Sequence, residues 1–198
     1  MSRPRGFRTE TVVDAAIEQF RSSSYAATST DDLCSGTGLS RSSLYNTFGN
    51  KAAMYQAALQ RYDDTGRGRA ERFLAAEGTG REVVEAMLRD TIEQQRDAAD
   101  RRTCMVLAAS VELGDDDPQI AELARQNLDR YTATLTALIE RGKADGSITS
   151  TIGSAELAGM LHAMINGLQI AGRVHTDQGD DARIDRTLTS ALSQLLSR

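Results

Sequence analysis

Seven of the eight residues Ser40–Thr47 carry side chains that suit contacts with DNA better than packing in a protein core. Arg41 can donate two hydrogen bonds to the edge of a guanine, and the short side chains of Ser42 and Ser43 allow close approach. Hydroxyl, amide and ammonium groups also suit phosphate oxygens. The candidate contacts in and around this segment are Thr28, Ser29, Ser40, Arg41, Ser42, Ser43, Tyr45, Asn46, Thr47 and Lys51. A solvated polar helix surface is the alternative interpretation.

Two short helices joined by a tight turn are needed to present these side chains. Thr28 is the predicted N-cap of the first helix, and Asp31 and Asp32 lie in its first turn, where the helix dipole favours acids. The segment Gly36–Gly38 ends that helix in a turn, and Ser40 is the predicted cap of the second helix. This order predicts a helix-turn-helix, whose second helix enters the major groove.

The residues on either side supply the packing that such a motif needs. Apolar residues at three- and four-residue spacing predict a helix over Thr9–Arg21. Leu44 and Phe48 are expected to anchor the second helix of the motif from beneath. Asn50 is the predicted cap of a fourth helix, which we expect to end at about Tyr62.

Charge is distributed unevenly between the two domains that we predict, residues 1–62 and residues 63–198. The first holds seven basic and five acidic residues, a balance of +2. The second holds 16 basic and 23 acidic residues, a balance of −7. This asymmetry indicates that the N-terminal domain faces phosphates while the rest of the chain is kept away from them. Two glycines and dense charge after Tyr62 predict the joint between the domains.

The second domain is predicted to be a helical bundle, so the fold class of the whole chain is all-α. Alternating runs of β-branched residues, which would indicate strands, are absent. Asp117–Pro118 is a helix start signal, because aspartate caps well and proline fits the first helical position. The predicted helices are Arg81–Arg96, Arg102–Leu113, Pro118–Gly146, Ser154–His175 and Asp181–Leu196.

The composition and the motifs exclude several other classes of protein. The N-terminus lacks the apolar run of a signal peptide, and no window approaches the roughly 18 apolar residues of a membrane span. The two cysteines form no disulfide framework, so we expect a cytoplasmic protein. The motifs HExxH, CxxC and GxSxG and a glycine-rich phosphate loop are missing, and the two histidines lack metal-ligand spacing. We therefore expect no enzyme activity, no metal and no cofactor.

Five segments of the N-terminal region together carry a family resemblance. They are VVDAAIEQF (Val12–Phe20), YAATST (Tyr25–Thr30), DLCSGTGLS (Asp32–Ser40), SSLYNTFGNK (Ser42–Lys51) and YQAALQRY (Tyr55–Tyr62). Over about residues 7–62 the chain resembles the TetR family of bacterial transcriptional repressors, and the resemblance is loose afterwards. One departure is Ser24, where the family often carries glycine before the tyrosine. If this position requires a positive φ, serine costs stability there.

The resemblance implies a role for each matching position of the helix-turn-helix. It implies contacts with base edges from Arg41, Ser42 and Ser43. It implies contacts with phosphates from Thr28, Ser40, Tyr45 and Lys51. The leading sequence SRPRG is similar to the arm of some members, so Arg3 and Arg5 either enter the minor groove or belong to a solvated terminus.

The resemblance also implies a second domain that binds a small-molecule effector and forms a homodimer. The last two predicted helices then either pair with their copies in a four-helix interface or close an intramolecular core. Candidate effector-binding residues are Met87, Cys104, Met105, Leu107, Tyr131, Leu135, Met160, His162 and Met164. Their side chains suit an apolar or amphipathic ligand, although residues of this kind are more often ordinary core. The resemblance thus implies a repressor that binds a palindromic operator and is released from it when the effector binds.

Cys104 has a second interpretation. It follows Arg101 and Arg102 at the start of a predicted helix, a setting that can lower the pKa of a thiol and make it reactive. The other interpretation is a small buried apolar residue. Two alternatives to an effector-released repressor therefore stay open: a helical DNA-binding protein without an effector, and a thiol sensor of oxidants or electrophiles through Cys104.

Overall fold

The computed structural model describes residues 9–96, 104–174 and 178–197 of the chain. These residues form nine helices and no strand, which confirms the all-α class predicted from the sequence. None of the described helices is both long and apolar enough to cross a membrane. The helices are α1 (Thr9–Ala27), α2 (Thr30–Thr37), α3 (Arg41–Phe48), α4 (Lys51–Leu74), α5 (Gly80–Arg96), α6 (Met105–Glu112), α7 (Pro118–Ala144), α8 (Ser154–Val174) and α9 (Gln178–Leu195).

The helices pack into two compact units. The first unit joins the described residues up to Thr65 with Cys104–Arg125. The second joins the described residues within 66–103 and 126–198. Helices α4 and α7 therefore each begin in the first unit and end in the second. The functional division at residue 62 stays a prediction, because packing alone does not show which residues bind DNA.

In the first unit α1 packs against both α2 and α6. Val12, Ala16 and Phe20 are buried on one face of α1, at the four-residue spacing of an amphipathic helix. Leu33 of α2 and Leu44 of α3 are both fully buried. Burial of each large apolar side chain contributes roughly 1.5–3 kcal/mol. These few anchors therefore hold two eight-residue helices that are too short to be stable alone.

The ends of α2 are set by a serine and a glycine. Its N-cap is Ser29 and not Thr28, so the predicted cap was wrong by one residue. The Ser29 hydroxyl accepts from the backbone N–H of Asp32 at 3.1 Å, and the Asp32 carboxylate accepts from the backbone N–H of Ser29 at 2.8 Å. Hydrogen bonds that the Ser29 hydroxyl and then its backbone N–H donate to the carboxylate lower the pKa of Asp32. The predicted turn at Gly38 is confirmed, since this residue closes α2 with a left-handed φ of 72°.

Two helices of the first unit are longer than predicted. Helix α1 continues beyond Arg21 to Ala27, with a break in its helical geometry at Ser24. Helix α4 continues beyond Tyr62 to Leu74, so the residues predicted as a joint between domains are helical. Each of its two glycines costs about 1 kcal/mol relative to alanine in a helix. The arginine, glutamate and alanine residues around them are strong helix formers and outweigh that cost.

In the second unit one buried cluster joins α5, α7, α8 and α9. Ile184, Leu188 and Leu192 of α9 are all buried in it, at the four-residue spacing of an amphipathic helix. Helix α5 begins in close contact with α7. A Cβ atom added to Gly80 would lie 2.1 Å from the backbone nitrogen of Gly142, so no other residue fits there without moving the backbone.

The remaining helix ends lie close to the predicted ones. Asp117 caps α7 as predicted, and its carboxylate accepts from the N–H groups of Gln119 and Ile120 at 3.0 and 3.2 Å. Helix α6 begins at Met105, whereas its predicted start at Arg102 lies outside the described residues.

Candidate nucleic-acid interface

Helix α3 presents a row of polar side chains to solvent. Leu44 on its inner side is fully buried, and Phe48 is half-buried. The outward side chains are Arg41, Ser42, Tyr45, Asn46 and Thr47, all of which are exposed. Tyr45 is 47% exposed although it is large and aromatic. This surface therefore offers guanidinium, hydroxyl and amide groups to a partner.

The start of α3 is organised by hydroxyl groups. Ser40 is its N-cap, as predicted, and the Ser40 hydroxyl accepts from the backbone N–H of Ser43 at 3.1 Å. The same hydroxyl donates to the Ser43 hydroxyl at 2.8 Å and lies 3.0 Å from that of Ser42. The N-terminus of a helix carries a partial positive charge, so these hydroxyls lie where an anion such as a phosphate is favoured.

Arg41 is held by an acid from the preceding helix. Its Nε donates to Asp31 Oδ1 at 3.2 Å, and its Nη2 donates to Oδ1 and Oδ2 at 2.8 and 2.9 Å. These hydrogen bonds, followed by the charge of Asp31, raise the pKa of Arg41. The sequence did not predict this pair, since Asp31 was interpreted only as a first-turn acid. Helical periodicity gives no signal for a pair ten residues apart across a turn.

Lys51 contacts the segment between α1 and α2. Its Nζ donates to the carbonyl oxygens of Tyr25 and Thr28 at 3.0 and 3.1 Å, and it lies 4.2 Å from the centroid of the Tyr25 ring. The ammonium has three donors, so one remains for a phosphate. The predicted phosphate contact of Lys51 stays a prediction, and the structure adds a second role for this residue.

Thr28 differs from the other candidate DNA contacts because it is buried. Only 1% of its surface is exposed, and its hydroxyl donates to the carbonyl oxygen of Ser24 at 2.5 Å. Its hydroxyl is therefore turned away from any partner, and we leave Thr28 out of the proposed interface. Ser29 is exposed at the start of α2, where its hydroxyl also donates to Asp32 at 2.6 Å. Arg3 and Arg5 lie outside the described residues.

Ser24 has a backbone conformation that serine rarely adopts. Its φ and ψ are 69° and 169°, and it is the one non-glycine residue of the described chain with a positive φ. This region of φ and ψ is accessible almost only to glycine. The condition stated for Ser24 is therefore met: the position has a positive φ, at which serine costs stability.

An aromatic cluster supports the same segment from within the first unit. Phe20 and Tyr55 meet edge to face with centroids 4.8 Å apart, and Tyr25 meets Tyr55 at 4.9 Å. The Tyr55 hydroxyl is buried, and this burial raises its pKa. From α6 the carboxylate of Glu112 accepts from the backbone N–H of Ala26 at 2.8 Å. The sequence does not predict this contact, because the two residues are 86 positions apart.

The nine candidate effector residues do not lie together in one unit. Cys104, Met105 and Leu107 belong to the first unit, whereas Met87, Tyr131, Leu135, Met160, His162 and Met164 belong to the second. In the second unit Met87 and Leu135 are buried in the core cluster, and Tyr131 and Met164 pack against it. Met160 is 42% exposed on the outer side of α8. We therefore leave Met160 out of the proposed effector site.

His162 joins a small polar cluster at the edge of that core. Its Nδ1 lies 2.7 Å from the Thr132 hydroxyl, and its ring centroid lies 4.7 Å from that of Tyr131. The Tyr131 hydroxyl lies 2.9 Å from that of Thr91. Burial lowers the pKa of His162, so the neutral ring is favoured. Two hydroxyls, a neutral imidazole and a phenol ring thus lie together beside apolar side chains.

Cys104 is the N-cap of α6 and is half-buried. Its Sγ lies 4.0 Å from the Tyr62 hydroxyl, which donates to it. Arg101 and Arg102, on which the prediction of a reactive thiol depended, lie outside the described residues. Both cysteines are free thiols.

Helix α8 has an exposed apolar face. Gly159, Ala163 and Gly167 are exposed at four-residue spacing, followed by Ile170 and Val174, which are 60% and 71% exposed. A Cβ atom at Gly159 or Gly167 would meet nothing within 4 Å. A contiguous exposed apolar face of this kind indicates an interaction surface.

Two family models match the sequence. Residues 12–58 match the bacterial regulatory proteins of the tetR family, and residues 80–197 match the C-terminal region of BetI-type transcriptional repressors. The chain is 28% identical over 153 residues to the uncharacterized HTH-type transcriptional regulator YezE of Bacillus subtilis (strain 168), covering 75% of this chain and 79% of that protein. It is 27% identical over 175 residues to the HTH-type transcriptional repressor ComR of Escherichia coli (strain K12), covering 86% and 82%.

Solved structures share the fold of the chain. A cysteine mutant of the TetR family regulator CifR, complexed with 26-base-pair operator DNA, has a TM-score of 0.81 at 22% identity and covers 97% of this chain and 99% of its own. A putative transcriptional regulator from Saccharomonospora viridis, in complex with choline, has a TM-score of 0.77 at 20% identity and covers 95% and 96%. With both of its regions matched by family models, the chain belongs to the TetR family of bacterial transcriptional regulators, which are DNA-binding proteins and not enzymes.

Proposed function

We propose that this chain is a cytoplasmic repressor that binds a palindromic operator as a homodimer and is released by a small apolar or amphipathic effector. The observation that carries the proposal is the exposed polar row of α3, which is fixed from beneath by Leu44 and at its start by Ser40. A recognition helix needs this combination of a rigid inner face and a polar outer face.

The proposed DNA contacts are divided by their chemistry. Arg41, Ser42 and Ser43 read base edges, and Asn46 and Thr47 add contacts beside them. Ser29, Ser40, Tyr45 and Lys51 bind phosphates, which fixes the position of the helix without reading sequence. Arg3 and Arg5 are proposed to enter the minor groove. CifR, which shares the fold, was solved with operator DNA, and the relative ComR is named a repressor.

The exposed face of α8 supports the homodimer. Its glycines and alanine would let two copies of the helix approach closely, and Ile170 and Val174 would be buried on association. A two-fold dimer places the same residues on both sides of the interface. It would also present two α3 helices to the two halves of a palindrome, which doubles the base readout.

The polar cluster around His162 supports an effector site in the second unit. Tyr131 and His162 offer ring faces, while Thr91 and Thr132 offer hydroxyls next to the apolar core. Ligand sites commonly combine an apolar lining with a few polar groups that fix orientation. The structural neighbour from Saccharomonospora viridis binds choline, a small cation that aromatic rings can hold.

A thiol sensor through Cys104 is the second candidate function. The observation that favours it is that Cys104 is a free, half-buried thiol at the start of α6, within reach of the Tyr62 hydroxyl. Treatment of the DNA complex with an oxidant and an electrophile, for the unchanged protein and Cys104→Ser, separates this candidate from the first. Release that persists in Cys104→Ser would exclude the thiol as the sensor.

Fluorescence anisotropy tests the proposed function as a whole. The protein is titrated into labelled DNA from the region flanking its own gene, and into random DNA, at about 50 and about 200 mM salt. We expect one palindromic fragment to bind tightly at both salt concentrations. Equal, salt-labile binding to every fragment would leave only phosphate attraction and would contradict operator recognition.

The same complex serves as an assay for the effector. Choline and small apolar compounds are screened first for thermal stabilisation of the protein, because a ligand of the folded state raises its melting temperature. Compounds that stabilise are then tested for release of the labelled operator. The absence of stabilisation by any of these compounds would favour a DNA-binding protein that has no effector.

A further inference from the structure

The pair Asp31–Arg41 has a geometry that leaves one edge of the guanidinium open. Asp31 occupies the edge formed by Nε and Nη2, through three contacts of 2.8–3.2 Å. Among the described residues, Nη1 has no partner. Arginine carries five N–H donors in a rigid fork, so the edge formed by Nη1 and Nη2 can still donate two parallel hydrogen bonds. That is the edge needed for O6 and N7 of guanine.

The ion pair between Asp31 and Arg41 is expected to add little to the stability of the fold. The side chains of Arg41 and Asp31 are 61% and 75% exposed, and ion pairs so open to solvent contribute little to folding. Leu33 and Leu44 already hold α2 and α3 from inside. The pair does, however, restrict a long flexible side chain at the start of α3, on the surface that we propose to meet the bases. We therefore expect loss of the pair to change DNA recognition and not the stability of the fold.

We propose that Asp31 is a positioning residue for base recognition: it holds Arg41 in the orientation that donates to a guanine, and so determines specificity. This inference rests on the proposed function. Without Asp31, the guanidinium of Arg41 is free to turn towards a phosphate, where it would add affinity for any sequence. With Asp31 present, rotation of Arg41 towards a phosphate would leave the Asp31 carboxylate unpaired and close to the phosphates. Binding to DNA that lacks the guanine is therefore disfavoured.

The proposal predicts two opposite effects of removing the carboxylate. Discrimination between the operator and an operator changed at the guanine falls, because Arg41 loses its fixed orientation. Affinity for random DNA is unchanged or rises, because one negative charge near the phosphates is lost. Ordering one long side chain on binding reduces affinity by about 2- to 10-fold, so discrimination is expected to fall by about that factor in Asp31→Asn.

The test is a double-mutant cycle on DNA, made with the unchanged protein, Asp31→Asn, Arg41→Ala and the double variant. The base pair read by Arg41 is first located as the operator position at which the unchanged protein discriminates and Arg41→Ala does not. Discrimination at that base pair is then measured by anisotropy for all four proteins. Glu10→Gln is the matched control, because it removes an exposed carboxylate of the same unit that does not contact Arg41. Thermal melting checks that each variant is folded.

We expect Asp31→Asn to lose discrimination at that one base pair in the presence of Arg41 and to have no such effect in the Arg41→Ala background. Unchanged discrimination in Asp31→Asn would overturn the inference, and so would an equal loss at operator positions that Arg41 does not read, which would make the effect of Asp31 independent of Arg41. Failure of the proposed function looks different: the unchanged protein would then discriminate at no base pair, and the inference would fall with it.

Discussion

The ammonium of Lys51 lies 3.1 Å from the carbonyl oxygen of Thr28, so the first residue of α4 is bonded to the segment that leads into α2. A lysine expected only to bind a phosphate thus also holds two parts of the first unit together. The position of α2, and with it the surface formed with α3, depends on this contact.

Replacement of Lys51 by alanine tests that structural role. Lys51→Ala removes two hydrogen bonds from a charged donor and the contact with the Tyr25 ring. We expect the free energy of unfolding to fall by about 1–3 kcal/mol, measured by urea denaturation. Arg125→Ala is the control, since it removes an exposed cation paired three residues away with Glu122 and should change stability by at most about 0.5 kcal/mol. Equal effects of the two variants would contradict a structural role for Lys51.

Replacement of Ser24 by glycine should stabilise the protein. The φ of 69° and ψ of 169° at this position cost a side-chain-bearing residue about 1–3 kcal/mol, and glycine adopts them freely. Glycine also loses more entropy on folding, so a net gain of about 1 kcal/mol is expected in urea denaturation. The control is Ser23→Gly one residue earlier, where helical geometry makes glycine destabilising by about 0.5–1 kcal/mol. A loss of stability in both variants would show that Ser24 is not strained.

Helical periodicity predicted the elements of this fold but not the contacts that close it. The stripe of α1 and the caps at Ser40 and Asp117 depend on neighbours within a few residues, and they were predicted correctly. The continuation of α4 through its two glycines was not predicted, because these glycines were interpreted as a joint although the residues around them favour a helix.

The polar row of α3 could also be predicted from the sequence, since its residue types and spacing are local. Two contacts around it could not. The pair of Asp31 with Arg41 bridges a turn, and the bond from Ala26 to Glu112 bridges 86 residues. Thr28 was predicted to contact a phosphate from its position at the start of α2 and from the family resemblance, and only the fold shows that its hydroxyl is buried.

Stability should depend on pH through His162. Its pKa lies below the ordinary value of 6.5 because the ring is buried, so the unfolded chain binds a proton more readily than the folded one. The stabilising contribution of the neutral ring is therefore present above about pH 6.5 and lost as the pH falls through the lowered pKa. We expect the free energy of unfolding in urea to decrease between about pH 7 and about pH 5.

Two variants assign that pH dependence to a residue. His162→Gln should flatten the change over this range, because glutamine does not titrate there. His175→Gln, at the other histidine of the sequence, is the control and should keep the slope. An unchanged slope in His162→Gln would assign the pH dependence to other groups.

A bulky side chain on the exposed face of α8 should disrupt the proposed homodimer. A Cβ atom at Gly167 meets nothing within 4 Å in the single chain, so Gly167→Leu should leave the fold intact. In a two-fold interface the added side chain occurs twice, and overpacking costs about 1–3 kcal/mol for each. We expect sedimentation velocity at micromolar concentration to show a shift from dimer to monomer. Gly68→Leu, also on an exposed and open helical position, is the matched control and should remain dimeric.

The central claim is that α3 reads bases through Arg41, and one measurement tests it most directly. The affinities of the unchanged protein, Arg41→Ala and Tyr45→Phe are compared on the operator and on random DNA by anisotropy at one salt concentration. Loss of a bidentate base contact costs about 1–3 kcal/mol, so Arg41→Ala should lower the ratio of operator to random affinity by about 5- to 150-fold. Tyr45→Phe should weaken both affinities alike, because its hydroxyl is proposed to bind a phosphate. An equal loss on both DNAs for Arg41→Ala would contradict the account.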